Sequence, residues 1–202
     1  MLPQLLIYDD FLRDPARHRA EALALGFAAK PAGANYPGVV SPRPLPLPNL
    51  EAFVGQALGV PVAPAPGTLH SHCRLTLGGD RGVSGVHIDP AFYSGILFLS
   101  EDAHARGGTD FFRHRRTGLE RVPPDLGGVQ AAGFPDHDTL VEQVVNRDTT
   151  RPAAWERVMS VPMRFNRLIL FSPWRFHDAA KGFGTGPGNG RLVQLFFFVR
   201  AG

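Results

Sequence analysis

A chain of 202 residues, 44% hydrophobic and 19% charged, has the apolar content to bury a substantial core, which excludes a disordered chain or a coiled coil. Lys and Arg total 21 against 18 Asp and Glu, a net charge of +3 with no lysine-arginine run, so nothing in the charge pattern indicates a nucleic-acid partner. A single cysteine, Cys73, excludes an internal disulfide framework and fits a reducing compartment; with no signal-like start and no apolar run of the roughly 18 residues a spanning helix needs, the expectation is a cytoplasmic protein with no membrane partner.

Leu5 to Tyr8 reads as a short strand. Asp14 then stands as an N-cap before Pro15, and Ala16, Ala20, Leu23, Ala24 and Phe27 recur at helical spacing, which predicts a first helix over 14–26. A loop rich in proline and glycine follows from Pro31 to Pro48. Asn49 is expected to cap a second helix over 49–58, striped by Leu50, Phe53, Val54, Ala57 and Leu58 and stopped by Gly59. From His70 onward the pattern changes to strands at 69–77, 92–100, 109–113, 157–162, 167–172 and 191–200. One helix, Asp136 to Asn146, is expected inside an insertion spanning about 123–152. Two helices followed by six to eight strands predict a mainly β fold in one domain, 1–202: a β-sandwich or jelly roll, its major sheet backed by the two N-terminal helices.

The chemistry concentrates at Val86-His87-Ile88-Asp89-Pro90. On an extended segment residues i and i+2 point to one side, so the His87 imidazole and the Asp89 carboxylate leave the backbone together. His177, following the apolar run Leu168 to Phe171, offers a third ligand. Two histidines and one carboxylate on one face leave three octahedral positions open, the facial triad of non-haem iron oxygenases. A His-x-Asp tripeptide is also common by chance, and a histidine at a strand end is more often a hydrogen-bonded core or surface residue, so spacing alone leaves both readings open.

Order adds to spacing. Arg74-Leu75-Thr76-Leu77-Gly78-Gly79 precedes His87-Ile88-Asp89; then come the strand Ile96 to Ser100, the turn Gly107-Gly108-Thr109-Asp110-Phe111, the strand Asn166 to Phe171, His177 and Gly190-Arg191. This series resembles the Fe(II)/2-oxoglutarate-dependent oxygenase superfamily, in particular its prolyl-4-hydroxylase-like branch, and within it a bacterial subgroup without an assigned substrate. The opening Ile7 to Leu12 with Asp14-Pro15 is similar to the family's first strand and helix, and the likeness covers most of the chain outside 115–156. The chain departs from the family in lacking the acidic residue between Gly108 and Thr109, and in its longer spacing between His177 and Arg191.

The resemblance implies a double-stranded β-helix. It also implies Fe(II) at the catalytic residues His87, Asp89 and His177, and 2-oxoglutarate as cosubstrate with its far carboxylate clamped by Arg191. With dioxygen, such an enzyme hydroxylates a small-molecule or peptide substrate and releases succinate and carbon dioxide. Halogenating relatives replace the metal-binding carboxylate with a small residue, so Asp89 implies hydroxylation. On an alternating strand Arg191 shares a face with Val193, Leu195, Phe197 and Val199, which predicts a lone charge on an apolar wall.

Two other classes remain open at this point: a cupin-like metal enzyme that does not use 2-oxoglutarate, with His70 and His72 as further ligands, and a non-catalytic jelly-roll binding module. His70, His72, Arg74 and Thr76 form a polar strand face that either lines the cavity or meets water; Arg113 and His114 either touch substrate or belong to a solvated turn. Trp155 and Trp174 read as core or pocket wall, and Cys73 as a buried thiol.

Overall fold

The computed structural model describes residues 2–27 and 36–202; the predicted loop's residues 31–35 lie outside that range. Strand β1 (Leu5–Tyr8) leads to helix α1 (Pro15–Ala24), whose N-cap Asp14 accepts a hydrogen bond from the Arg17 backbone N–H at 3.1 Å. Short β2 (Val39–Val40) precedes α2 (Leu50–Leu58). Asn49 holds the N-cap position of α2 in a left-handed conformation (φ 64°) with no side-chain capping bond, so its contribution is a backbone turn, and Gly59 (φ 68°) ends the helix as expected. Then come β3 (Val62–Pro64), β4 (Cys73–Thr76), β5 (Tyr93–Phe98) and β6 (Gly108–His114).

The insertion holds more helix than the sequence pattern indicates. Helix α3 (Leu126–Ala131) forms despite Gly127 and Gly128 in its first turn, because Asp125 caps the Gly128 N–H at 2.8 Å and Val129 is fully buried. Helix α4 (His137–Leu140), capped by Asp136, runs on into a π-helical turn, Val141–Asn146. Strands β7 (Trp155–Pro162), β8 (Arg167–Phe171), β9 (His177–Ala179) and β10 (Arg191–Arg200) complete the chain.

All strand pairs are antiparallel. The larger sheet runs β1-β8-β5-β10-β4-β2, with β3 also paired to β10, and the smaller runs β7-β6-β9. The fold is mainly β, with few helices, as the sequence pattern indicates.

Three apolar layers follow from strand alternation. Leu192, Phe196 and Phe198 of β10 face α1 and α2, packing with Ala22, Leu50, Val54 and Leu58, so the two helices do back the larger sheet. Each such side chain contributes roughly 1.5–3 kcal/mol when fully buried. Gln194, on the same face, is fully buried yet satisfied: its Oε1 meets His18 Nε2 at 2.7 Å and its Nε2 donates to the Ser71 carbonyl at 3.1 Å. Val193 and Leu195 point the other way, into a layer between the sheets with Phe98, Phe111, Ile169 and Phe171. The third layer joins the insertion to the small sheet through Val122, Val129, Leu140, Val144, Trp155 and Phe176.

Candidate metal centre

Val86 is buried and Ile88 packed in this third layer, so the alternation of the segment turns His87 and Asp89 the opposite way, toward the space between the sheets. His177 opens β9 directly opposite His87, the two forming an isolated antiparallel bridge. Ligand atoms of His87, Asp89 and His177 all lie within 4.8 Å of one another. The three predicted residues therefore converge.

Each imidazole is fixed by a backbone carbonyl two residues earlier. His87 Nδ1 donates to the Gly85 oxygen at 2.8 Å, and His177 Nδ1 to the Arg175 oxygen at 2.7 Å. With Nδ1 donating in both rings, both Nε2 atoms face Asp89, at 3.7 Å from Oδ1 for His87 and 3.3 Å from Oδ2 for His177. Ser94 Oγ donates to Asp89 Oδ2 at 2.6 Å and orients the carboxylate. A protonated His177 Nε2 can pair with Asp89; once that proton is lost, the three ligand atoms form a donor set that a divalent metal fits.

The electrostatics agree. Burial and the neighbouring His177 push the His87 pKa down to about 4, so the ring stays neutral and able to coordinate. Burial works against the Asp89 charge, but His177, His87 and Ser94 outweigh it and bring the carboxyl down to about 2. Burial likewise opposes a charged His177, yet Asp89 and the Arg175 carbonyl hold that ring above its usual value.

The centre opens into a cavity of about 250 Å³ walled by Ile96, Phe171, Val193, Leu195 and Phe197, with Tyr36 and the loop residues Gly67, Thr68 and Leu69 also lining it. That volume suits a metabolite or a single side chain, not a folded partner. Arg191 lines the cavity as predicted, 3% exposed, with Nη2 donating to the Gly108 carbonyl at 3.2 Å and a buried Nε that has no partner. Gly108 is needed here, because a Cβ would overlap the Val161 carbonyl. Thr109, on the same turn, lines the cavity with a buried, unpartnered Oγ1; sequence reasoning quoted the Gly-Gly-Thr turn without giving Thr109 a role. Orphaned buried polar atoms are costly, and these two, from strands of different sheets that the Arg191–Gly108 bond brings together, are free to receive a ligand.

Several expectations change. Arg191 is the lone charge on the β10 wall, as expected, but Arg74 of β4 and Asp178 of β9 bring further charges to the cavity. Burial pushes the Arg191 guanidinium down to about 10, with Arg74 adding to the effect, and pushes Asp178 up to about 6. His70 and His72 lie elsewhere: His70 Nδ1 is engaged by the Phe197 backbone and His72 Nδ1 by the Ser41 carbonyl at 2.9 Å. Among the described residues the metal-ligand set is thus the triad alone, without the extra histidines of a cupin-like centre. His114 is fully buried between Thr117 and Asp148, and Arg113 pairs with Glu120, so neither reaches the cavity. Trp155 is core, whereas Trp174 is 39% exposed and is neither core nor wall. Cys73 is buried, its thiol pushed up to about 12 by burial.

Solved structures similar to this chain include two described as non-haem α-ketoglutarate-dependent enzymes and one crystallised with 2-oxoglutarate. The epimerase SnoN from nogalamycin biosynthesis is 17% identical, with 98% of this chain and 77% of that one covered at a TM-score of 0.57. HygX from Streptomyces hygroscopicus, crystallised with nickel, 2-oxoglutarate and hygromycin B, is 15% identical over 96% and 82% (TM-score 0.54). The carbocyclase SnoK, also from nogalamycin biosynthesis, is 15% identical over 96% and 79% (TM-score 0.53). At these identities the likeness is one of fold. Residues 85–198, which contain the triad, Thr109 and Arg191, match a family of unknown function, DUF6445, and the chain belongs to that family. No curated protein matches the sequence.

Proposed function

We propose that the chain is an Fe(II)- and 2-oxoglutarate-dependent oxygenase, acting as one domain over 1–202 and hydroxylating a small molecule or a peptide side chain. One observation carries this reading: the convergent acceptors of His87, Asp89 and His177 share a cavity with the orphaned polar atoms of Arg191 and Thr109. 2-Oxoglutarate has a carboxylate at each end, and the cavity offers a destination for both. His87, Asp89 and His177 hold the metal and leave half its coordination sphere free. Arg191 and Thr109 receive the far carboxylate, the guanidinium as a charge-assisted donor and the hydroxyl as a neutral one. Bound together, iron, 2-oxoglutarate and dioxygen supply oxidative decarboxylation to succinate and carbon dioxide, coupled to oxidation of a substrate C–H bond.

The protein's own part is orientation and exclusion. Gly85 and Arg175 hold the two ring tautomers, Ser94 holds Asp89, and the walls Ile96, Phe171, Val193 and Leu195 keep water from the reacting atoms. Asp89 fills the ligand position a halide needs, so the reading is hydroxylation rather than halogenation. The order of motifs, similar to that of the prolyl-4-hydroxylase-like branch, supports the same reaction class.

Calorimetric titration with Fe(II) and then 2-oxoglutarate, without oxygen, tests the reading. It expects one equivalent of each, and succinate once oxygen is admitted. Metal uptake without 2-oxoglutarate uptake would point to a metal enzyme of another kind, and no metal uptake to a binding module.

A further inference from the structure

Two guanidiniums line the cavity, while the cosubstrate in the reading above has only one far carboxylate to offer. Arg74 lies on β4, paired to Val193 of β10, two residues along from the pair between Thr76 and Arg191. Its guanidinium carbon stands 5.0 Å from the centroid of the Tyr36 ring. Among the described residues, no hydrogen bond or ion pair is made by this guanidinium, which has five donors to satisfy. The ionisable groups acting on it are Tyr36, a phenol kept neutral by burial that pushes it up to about 12, and Asp89, which is already engaged by His87, His177 and Ser94. Asp178, the other carboxylate of the cavity, acts on Arg191. Burial depresses the Arg74 pKa, as expected for a cation set among apolar walls without a counter-ion.

The Tyr36 ring gives Arg74 a fixed plane. A guanidinium held against an aromatic face keeps its edge, where the N–H groups lie, free for a planar partner. Tyr36 also packs against the His87 ring at 4.8 Å, so the plane is set relative to the metal centre. A single arginine fork, in a cavity of about 250 Å³ with mostly apolar walls, matches one carboxylate on an otherwise apolar molecule.

We propose that Arg74, positioned by Tyr36, binds a carboxylate of the substrate, so that the substrate class is a small organic acid. The inference rests on the oxygenase reading, because Arg74 is left over only if the cosubstrate occupies Arg191.

The test uses the full chain loaded with Zn(II) and saturating 2-oxoglutarate, so that binding is read without turnover. Straight-chain acids from propanoate to octanoate, and their primary amides, are the probes, followed by ligand-observed NMR and calorimetry up to tens of millimolar. At least one acid should bind about 10-fold or more tighter than its amide. Arg74→Met should weaken that acid about 30-fold or more and leave 2-oxoglutarate affinity within about twofold. Arg74→Lys, which keeps the charge and loses the fork, should fall between, and guards against a methionine variant that does not fold. Tyr36→Leu should weaken the acid by a smaller factor without altering metal affinity.

Acids binding no better than amides, no acid binding at all, or an acid affinity unchanged in both Arg74 variants would overturn the proposal. Weakened 2-oxoglutarate binding in Arg74→Met would also overturn it, by placing Arg74 in the cosubstrate clamp. A wild-type protein that binds zinc but no 2-oxoglutarate would instead overturn the oxygenase reading, and this inference with it.

Discussion

The backbones of His87 and His177 exchange two hydrogen bonds, of 2.9 and 3.0 Å, and their ring centroids lie 4.4 Å apart. This reciprocal pair places both imidazoles on the same side of the bridge with little freedom to separate. Donor geometry is therefore set by main-chain pairing before any metal arrives, which is the preorganisation a tight centre needs.

In the proposed metal site, removing Asp89 takes away the one anionic ligand, whereas removing the Ser94 hydroxyl takes away only its 2.6 Å orienting bond. Asp89→Ala should lower Zn(II) or Mn(II) affinity by well over about 100-fold, and Ser94→Ala by about 10-fold. Calorimetry on both variants checks the ratio; equal losses would contradict the division of roles.

Arg191→Met should weaken 2-oxoglutarate binding by about 30-fold or more and leave metal affinity nearly unchanged, since in the proposed function the guanidinium acts on the far end of the cosubstrate. Thr109→Val, losing one neutral hydrogen bond, should cost roughly 10-fold or less. Parallel loss of metal and cosubstrate in Arg191→Met would indicate a structural arginine.

Metal binding should release a proton at any pH below the raised pKa of His177. Between the pKa of His87, about 4, and that of His177, held above its usual value, Asp89 and His87 are already deprotonated and His177 carries the proton that a metal would have to displace. Affinity should thus rise with pH below the His177 pKa and level off above it. Calorimetry in buffers of different ionisation enthalpy counts the protons directly.

Cys73 should resist thiol reagents in the native protein. A pKa raised by burial means less thiolate at any working pH, and at about 12 the thiolate is negligible at pH near 8. Labelling should be slow when folded and fast in denaturant; rapid native labelling would show that β4 opens readily.

Much of this arrangement was legible because it follows from alternation. Once the segment at 86–90 is extended, Val86 and Ile88 must go one way and His87 and Asp89 the other, and the core confirms the split. The partner His177 was readable from its place after the apolar run Leu168 to Phe171 and from the order of motifs, since its own strand β9 is three residues long and carries too little pattern to announce itself. The role of Arg74 was hidden for a different reason. His70, His72, Arg74 and Thr76 look like one strand face, but Ser71 adopts a left-handed backbone (φ 63°) and the strand begins at Cys73, so the alternation does not carry back to the histidines. Helix α3 was invisible because its two glycines argue against helix, and the Asp125 cap and Val129 burial that override them are tertiary. Thr109 needed the structure too, since only there can a hydroxyl be seen to lack a partner.

His177 and Arg191 open strands β9 and β10, Thr109 lies on β6, and His87 is locked in the bridge to His177, whereas Gly67, Thr68 and Leu69 belong to the loop between β3 and β4. Inheritance acts differently on these two parts. A change in the framework disturbs pairing on both sides of a strand, while a loop can be lengthened or rewritten with its ends left in place. Under the proposed function, a lineage built on this scaffold is thus free to explore new molecules at the rim while the metal site stays constant, so a change of preferred acid between relatives should be written in the 65–72 segment, the carboxylate requirement staying with Arg74 on β4.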